Sequence, residues 1–108
     1  MLRADFAMQS GGTTIYFTPG STGLTQQART ILAAQAMWLR QHPEVAVRIE
    51  GRGDPTDTRD HALAMGAERS AQVRDYLVLM GVPAAQVSVT SWGKERPGSP
   101  RAQTILVR

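Results

Sequence analysis

The chain contains no cysteine, and its 108 residues include only two histidines, His42 and His61. The first absence excludes disulfides and thiol chemistry, and fits a reducing cytosol or a periplasmic domain that dispenses with bridges. The second leaves a zinc site short of ligands, because the two histidines fall on separate predicted elements. No apolar run approaches the ~20 residues of a membrane span. The opening MLRADFAMQSGGTTIYF also lacks the apolar centre of a secretory leader, so an exported parent is expected to carry its leader elsewhere. Long runs of one charge are missing too. The 12 Lys+Arg are interleaved with 9 Asp+Glu, for a net charge of +3. Without clustered cations a nucleic-acid partner is not expected.

What remains is an ordinary soluble composition, 42% hydrophobic and 19% charged. A chain of this length makes one domain and buries roughly two-thirds of its unfolded surface. Residues 1–12 read as a flexible lead-in that ends in Ser10-Gly11-Gly12, and the folded domain is expected over 13–108. TTIYF (13–17) is β-branched and aromatic, as a short strand is. TPGSTG (18–23) is a loop. Thr25 is placed to cap a helix over 26–41, where Ala28, Ile31, Leu32, Trp38 and Leu39 recur at helical spacing. His42-Pro43 ends it. VAVRIEG (45–51) alternates as a half-buried strand. A second helix is expected from about Asp60 to Met80, stopped by Gly81 and Pro83. QVSVTSW (86–92) and QTILV (103–107) are the last strands, expected to pair antiparallel. The order β-α-β-α-β-β predicts an α+β two-layer sandwich, one mixed four-stranded sheet packed against two helices.

The stretch GRGDPTDTRDHALAMGAERS (51–70) carries the chemistry. Its aspartates, three residues apart and split by Pro55, do not match a calcium loop, which wants oxygens at alternate positions and a closing glutamate. Asp60 and His61, adjacent on a helix, point about 100° apart and form no dyad. Nucleophile-elbow and phosphate-loop motifs are absent, so no enzyme activity and no cofactor are expected. Arg52-Gly53-Asp54 spells an adhesion tripeptide, but three common residues in a row carry little information.

A charge-reading pocket is the remaining possibility. Asp54 is held extended by Pro55 and flanked by Gly51 and Gly53, which allow close backbone approach. Asp57 or Thr58 caps the coming helix, and Arg69 further along it can grip a carboxylate with two hydrogen bonds. Together they suit a zwitterion. The spacing alone favours a plain Asp–Arg salt bridge that ties loop to helix.

The stretch 51–77 resembles the G-H-x-D-x-x-G-T-x-x-Y-N-x-x-L-G-x-x-R-A-x-x-V-x-x-Y-L signature of OmpA-like C-terminal domains. IYFTPGSTGLTQQA resembles their first strand and loop, and VPAAQVSVTSWGKERP resembles a stretch typical of the peptidoglycan-associated lipoprotein (Pal) branch. The resemblance spans about residues 13–107. It implies a periplasmic, non-catalytic domain that binds the diaminopimelate of a peptidoglycan stem peptide, linking outer membrane to cell wall. It also implies Tol-system protein partners and an outer-membrane lipid anchor outside this chain. Asp54 would take the diaminopimelate ammonium and Arg69 its carboxylate, with Gly53, Thr18, Phe17, Met65, Ala62 and Thr58 around them. The chain departs from the signature at Thr18, Gly20, Arg52, Asp57, His61 and Ala62. Those departures suit a second reading, a worn pocket whose domain docks onto another envelope protein.

Overall fold

A computed structural model describes residues 2–95 and 98–107. Arg96 and Pro97 of the GKERP stretch lie outside the described residues. The elements are α1 (Leu2–Ser10), β1 (Thr14–Tyr16), α2 (Gln26–Gln41), β2 (Val47–Arg52), α3 (Arg59–Leu79), β3 (Val87–Gly93) and β4 (Arg101–Leu106), with a short 3-10 turn at Ala84–Gln86.

Both long helices start where the sequence places a cap. Thr25 accepts a hydrogen bond from the Ala28 N–H at 3.0 Å, and Thr58 accepts one from the His61 N–H at 3.3 Å. Each bond satisfies a donor that the first helical turn otherwise leaves orphaned. At the far end of α2 the Gln86 side chain donates to the carbonyls of Leu39 and His42, which closes that helix from a distant part of the chain.

The sheet is mixed, in the order β1-β4-β2-β3. β4 runs antiparallel to both β1 and β2, and β2 runs parallel to β3. The expected pairing of the last two strands therefore does not form. Instead β4 lies between β1 and β2, and β3 is left as an edge. On the inner face Ile15, Val47, Ile49, Ala102 and Leu106 are buried, and they meet Leu32, Leu39, Val73 and Leu77 from α2 and α3. Fully burying one such side chain is worth about 1.5–3 kcal/mol. Trp38 is a core residue, as its helical spacing suggests.

The segment expected to be a loose lead-in is a helix. Phe6 of α1 is fully buried, and its ring stands edge-on to Trp38 with centroids 5.0 Å apart. The Trp38 indole N–H donates to Asp5 at 2.7 Å. Behind α1, buried Gln35 donates to the Gly12 carbonyl and accepts from Thr104, joining the lead-in to α2 and β4. The described residues thus form three helices, with α1 packed on α2.

Candidate binding site at the Asp54–Arg69 pair

The site forms where the C-terminal end of β2 meets α3 and the loop that follows β1. Gly51 and Gly53 are placed to bring backbone against backbone. A Cβ on Gly51 would overlap Gly66 of α3, and one on Gly53 would overlap Ala62. The close approach that the glycines permit is therefore to the helix, not to a ligand. Ala62 and Gly66, small and buried, are the other half of this seam, and Ser70 is buried beside it. Ala67, the next residue along α3 after Gly66, is exposed and takes no part in it.

This seam delivers Arg69 to the inside of the molecule. Ala62, Met65, Arg69, Val73 and Leu77 form one buried stripe along α3 at spacings of three and four. Arg69 is fully buried. A buried guanidinium needs its protons satisfied, and here backbone carbonyls do most of it. Nε donates to Ser21 at 3.0 Å, Nη1 to Arg52 at 3.0 Å, and Nη2 to Thr18 at 3.5 Å. The guanidinium carbon lies 5.3 Å from the centroid of the buried Phe17 ring, within cation–π range.

Asp54 supplies the counter-charge. Its Oδ1 lies 2.8 Å from Arg69 Nη1 as an ion contact, without the alignment of a hydrogen bond. Its Oδ2 accepts from the Gly20 N–H at 2.7 Å. The Asp54 side chain is 14% exposed. The pair is thus one buried cation with one carboxylate at its surface edge.

The other predicted residues divide in two. Phe17, Thr18, Asp54 and Arg69 come together. Gly53 gives its N–H to the Gly93 carbonyl at 2.9 Å, so it is not a ligand donor in this arrangement. Thr58 is the helix cap, while Ala62 and Met65 face inward and are buried. The sequence reading missed the backbone of Gly20, Ser21 and Arg52, which touches the pair directly. Main-chain groups leave no side-chain signature, although the Pro19-Gly20 turn is visible as such.

A second charged cluster sits at the start of α3. Asp57 Oδ2 contacts His61 Nδ1, and Asp57 Oδ1 accepts from the Thr58 N–H. The His61 hydrogen bond is the main cause holding the Asp57 carboxyl below its usual 3.8; partial desolvation opposes it, and Thr58 and Lys94 add to the lowering. Lys94 donates to the Asp57 carbonyl at 2.7 Å and Glu95 pairs with Arg59. The Lys94-Glu95 part of GKERP thus fastens the loop after β3 to the N-terminus of α3. Among the described residues no three His, Asp or Glu side chains are placed to hold a metal ion. An open groove of about 560 Å³ along α1 and α2, lined by Asp5, Met37, Trp38 and Met80, lies apart from the charge pair.

Residues 16–105 match the OmpA family. The chain belongs to that family. Curated relatives named peptidoglycan-associated lipoprotein include one from Agrobacterium fabrum, 42% identical over 93 residues, and one from Rhizobium meliloti, 43% identical over the same length. In both alignments 86% of this chain is covered but only 52% of the relative, so the chain spans about half their length. Among solved structures, the peptidoglycan-associated lipoprotein of Burkholderia pseudomallei superposes with a TM-score of 0.85 at 31% identity, over 89% of this chain and 91% of that one. The C-terminal domain of Helicobacter pylori MotB shares the fold at a TM-score of 0.79 and 19% identity, covering 87% and 82%. The OmpA-like fold read from the sequence is the fold observed, and the Pal likeness read from GKERP is carried by these relatives. The family is not an enzyme family.

Proposed function

We propose that this OmpA-family domain binds peptidoglycan non-covalently in the cell envelope through the diaminopimelate of the stem peptide, with Asp54 receiving the ammonium. The observation that supports this reading most is the Asp54–Arg69 pair itself. It retains, at the two positions given by the family signature, one carboxylate at the surface and one guanidinium behind it. A side chain that bears both an ammonium and a carboxylate is complementary to that order of charges. Arg69 reaches a ligand carboxylate only when the Thr18–Ser21 turn moves aside. The names of the relatives agree with the proposal. By the same resemblance, the parent would be a periplasmic, lipid-anchored protein joining outer membrane to cell wall, with Tol-system proteins as partners.

The second reading, a protein-interaction module with a worn pocket, draws on Ala62 and Gly53. Both are spent on helix packing and leave the site with few free donors. Co-sedimentation with purified peptidoglycan separates the two. The proposal expects the folded domain to pellet with the wall and Asp54→Ala to remain in the supernatant. A folded domain that never pellets would instead favour a protein partner.

A further inference from the structure

Thr18, Pro19, Gly20 and Ser21 make a compact turn. The Ser21 N–H donates to the Thr18 carbonyl at 2.9 Å, and Gly20 has φ of +78°. Proline at the second place and a positive φ at the third are the marks of a type II turn. Three of its backbone groups seize the charge pair. The Gly20 N–H holds Asp54 Oδ2, while the Ser21 and Thr18 carbonyls hold Arg69 Nε and Nη2. Thr18, Pro19 and Gly20 are exposed, whereas the guanidinium they cover is fully buried. The turn therefore occupies both charges that a zwitterion would use.

We infer that the Thr18–Ser21 turn is a gate: it stands in for the ligand at Asp54 and Arg69, and a zwitterionic ligand must displace it. The inference rests on the binding site proposed above. The exchange is chemically even-handed. A ligand ammonium replaces the Gly20 N–H at Asp54, and a ligand carboxylate replaces the Ser21 and Thr18 carbonyls at Arg69, with stronger charge-assisted bonds in each place. A ligand bearing an ammonium alone can replace only the first. Apparent affinity is reduced by the fraction of molecules that are shut.

Gly20→Ala isolates the gate. A Cβ there has open space, so nothing clashes, and the cost is confined to the left-handed backbone of the closed turn. The open population is expected to rise roughly five- to tenfold. Two measurements read this. Exchange of the Arg69 Nε–H with water, followed by NMR without ligand, is expected to accelerate by that factor while amides in β2 and β4 are unchanged. Calorimetric affinity for a diaminopimelate stem peptide is expected to tighten severalfold, and affinity for a lysine stem peptide much less. Unchanged Arg69 exchange, or weaker peptide binding by Gly20→Ala, overturns the gate. Faster Arg69 exchange with no binding by either protein leaves the gate standing and removes the peptidoglycan reading.

Discussion

Arg69 is wholly buried, yet its Nη1 lies 2.8 Å from the carboxylate of Asp54, which is 14% open to solvent. The guanidinium is thus reached from outside only through its partner or through the turn that covers it. Removing it leaves a cavity, takes one hydrogen bond from each of three backbone carbonyls, and leaves a carboxylate without its cation. Breaking a buried pair from one side typically costs 3–5 kcal/mol, and the partial hydration of Asp54 places this case near 3. Arg69→Ala is expected to lower the urea-unfolding free energy by about 3 kcal/mol. Arg69→Lys is expected to recover little, since an ammonium cannot span the carbonyls of Ser21, Arg52 and Thr18. Full recovery by lysine would show that charge alone suffices there.

The seam between β2 and α3 makes a second demand. Gly53→Ala places a methyl into the Ala62 backbone, and overpacking of a tight contact costs about 1–3 kcal/mol. Gly51→Ala meets Gly66 in the same way. Both are expected to lower stability in thermal melts, with Gly53→Ala also displacing Asp54 and weakening ligand binding. A Gly53→Ala domain as stable as wild type would contradict this packing.

The N-terminal helix is a third test. Phe6 contributes a fully buried aromatic ring at the α1–α2 contact, and Phe→Ala in a core costs about 3–5 kcal/mol. Phe6→Ala is expected to lose about that much in chemical denaturation. A negligible change would mean that α1 is not part of the cooperative unit.

Asp57 sets the fourth. Its folded-state pKa is depressed, chiefly by the His61 hydrogen bond. The ionised form is therefore favoured in the fold, and the resulting stability is present above its unfolded value near 3.8 and fades as pH falls through the lower folded value. Stability measured at falling pH is expected to drop less below pH 4 in Asp57→Asn than in wild type. Because the pair is exposed, the difference is expected to be small and to shrink with added salt. Parallel curves would show that the contact adds nothing.

Much of this was legible in the sequence where local chemistry decides the outcome. The Thr25 cap, the stop at His42-Pro43 and the Thr58 start of α3 all act within a few residues, and each appears where its residues put it. The alternation expected for β2 holds only from Val47 to Ile49, because Glu50 and Gly51 are buried as well. Strand order was not legible, because the place of β4 between β1 and β2 depends on which strands are left unpaired after the crossovers. α1 was missed because only Phe6 and Ser10 are buried along it, too few positions to produce a periodic signal.

The meeting of Asp54 and Arg69 was legible, but what the glycines face was not. A glycine reports that something comes close, and Gly53 reads the same whether that neighbour is a ligand or the Ala62 backbone. The burial of Arg69 did have a signal: it falls in step with Ala62, Met65, Val73 and Leu77 on the inward stripe of α3.

In the proposed complex Asp54 receives the ammonium of a zwitterionic stem peptide. Calorimetric titration with diaminopimelate and lysine stem peptides, using wild type and Asp54→Asn, tests it most directly. Asparagine keeps the shape and can still accept from the Gly20 N–H, so the variant removes mainly the charge. The account predicts saturable binding of the diaminopimelate peptide by wild type, weaker binding of the lysine peptide, and a loss of about tenfold or more in Asp54→Asn. Equal binding by Asp54→Asn, or no heat from a wild-type domain shown to be folded, would contradict it.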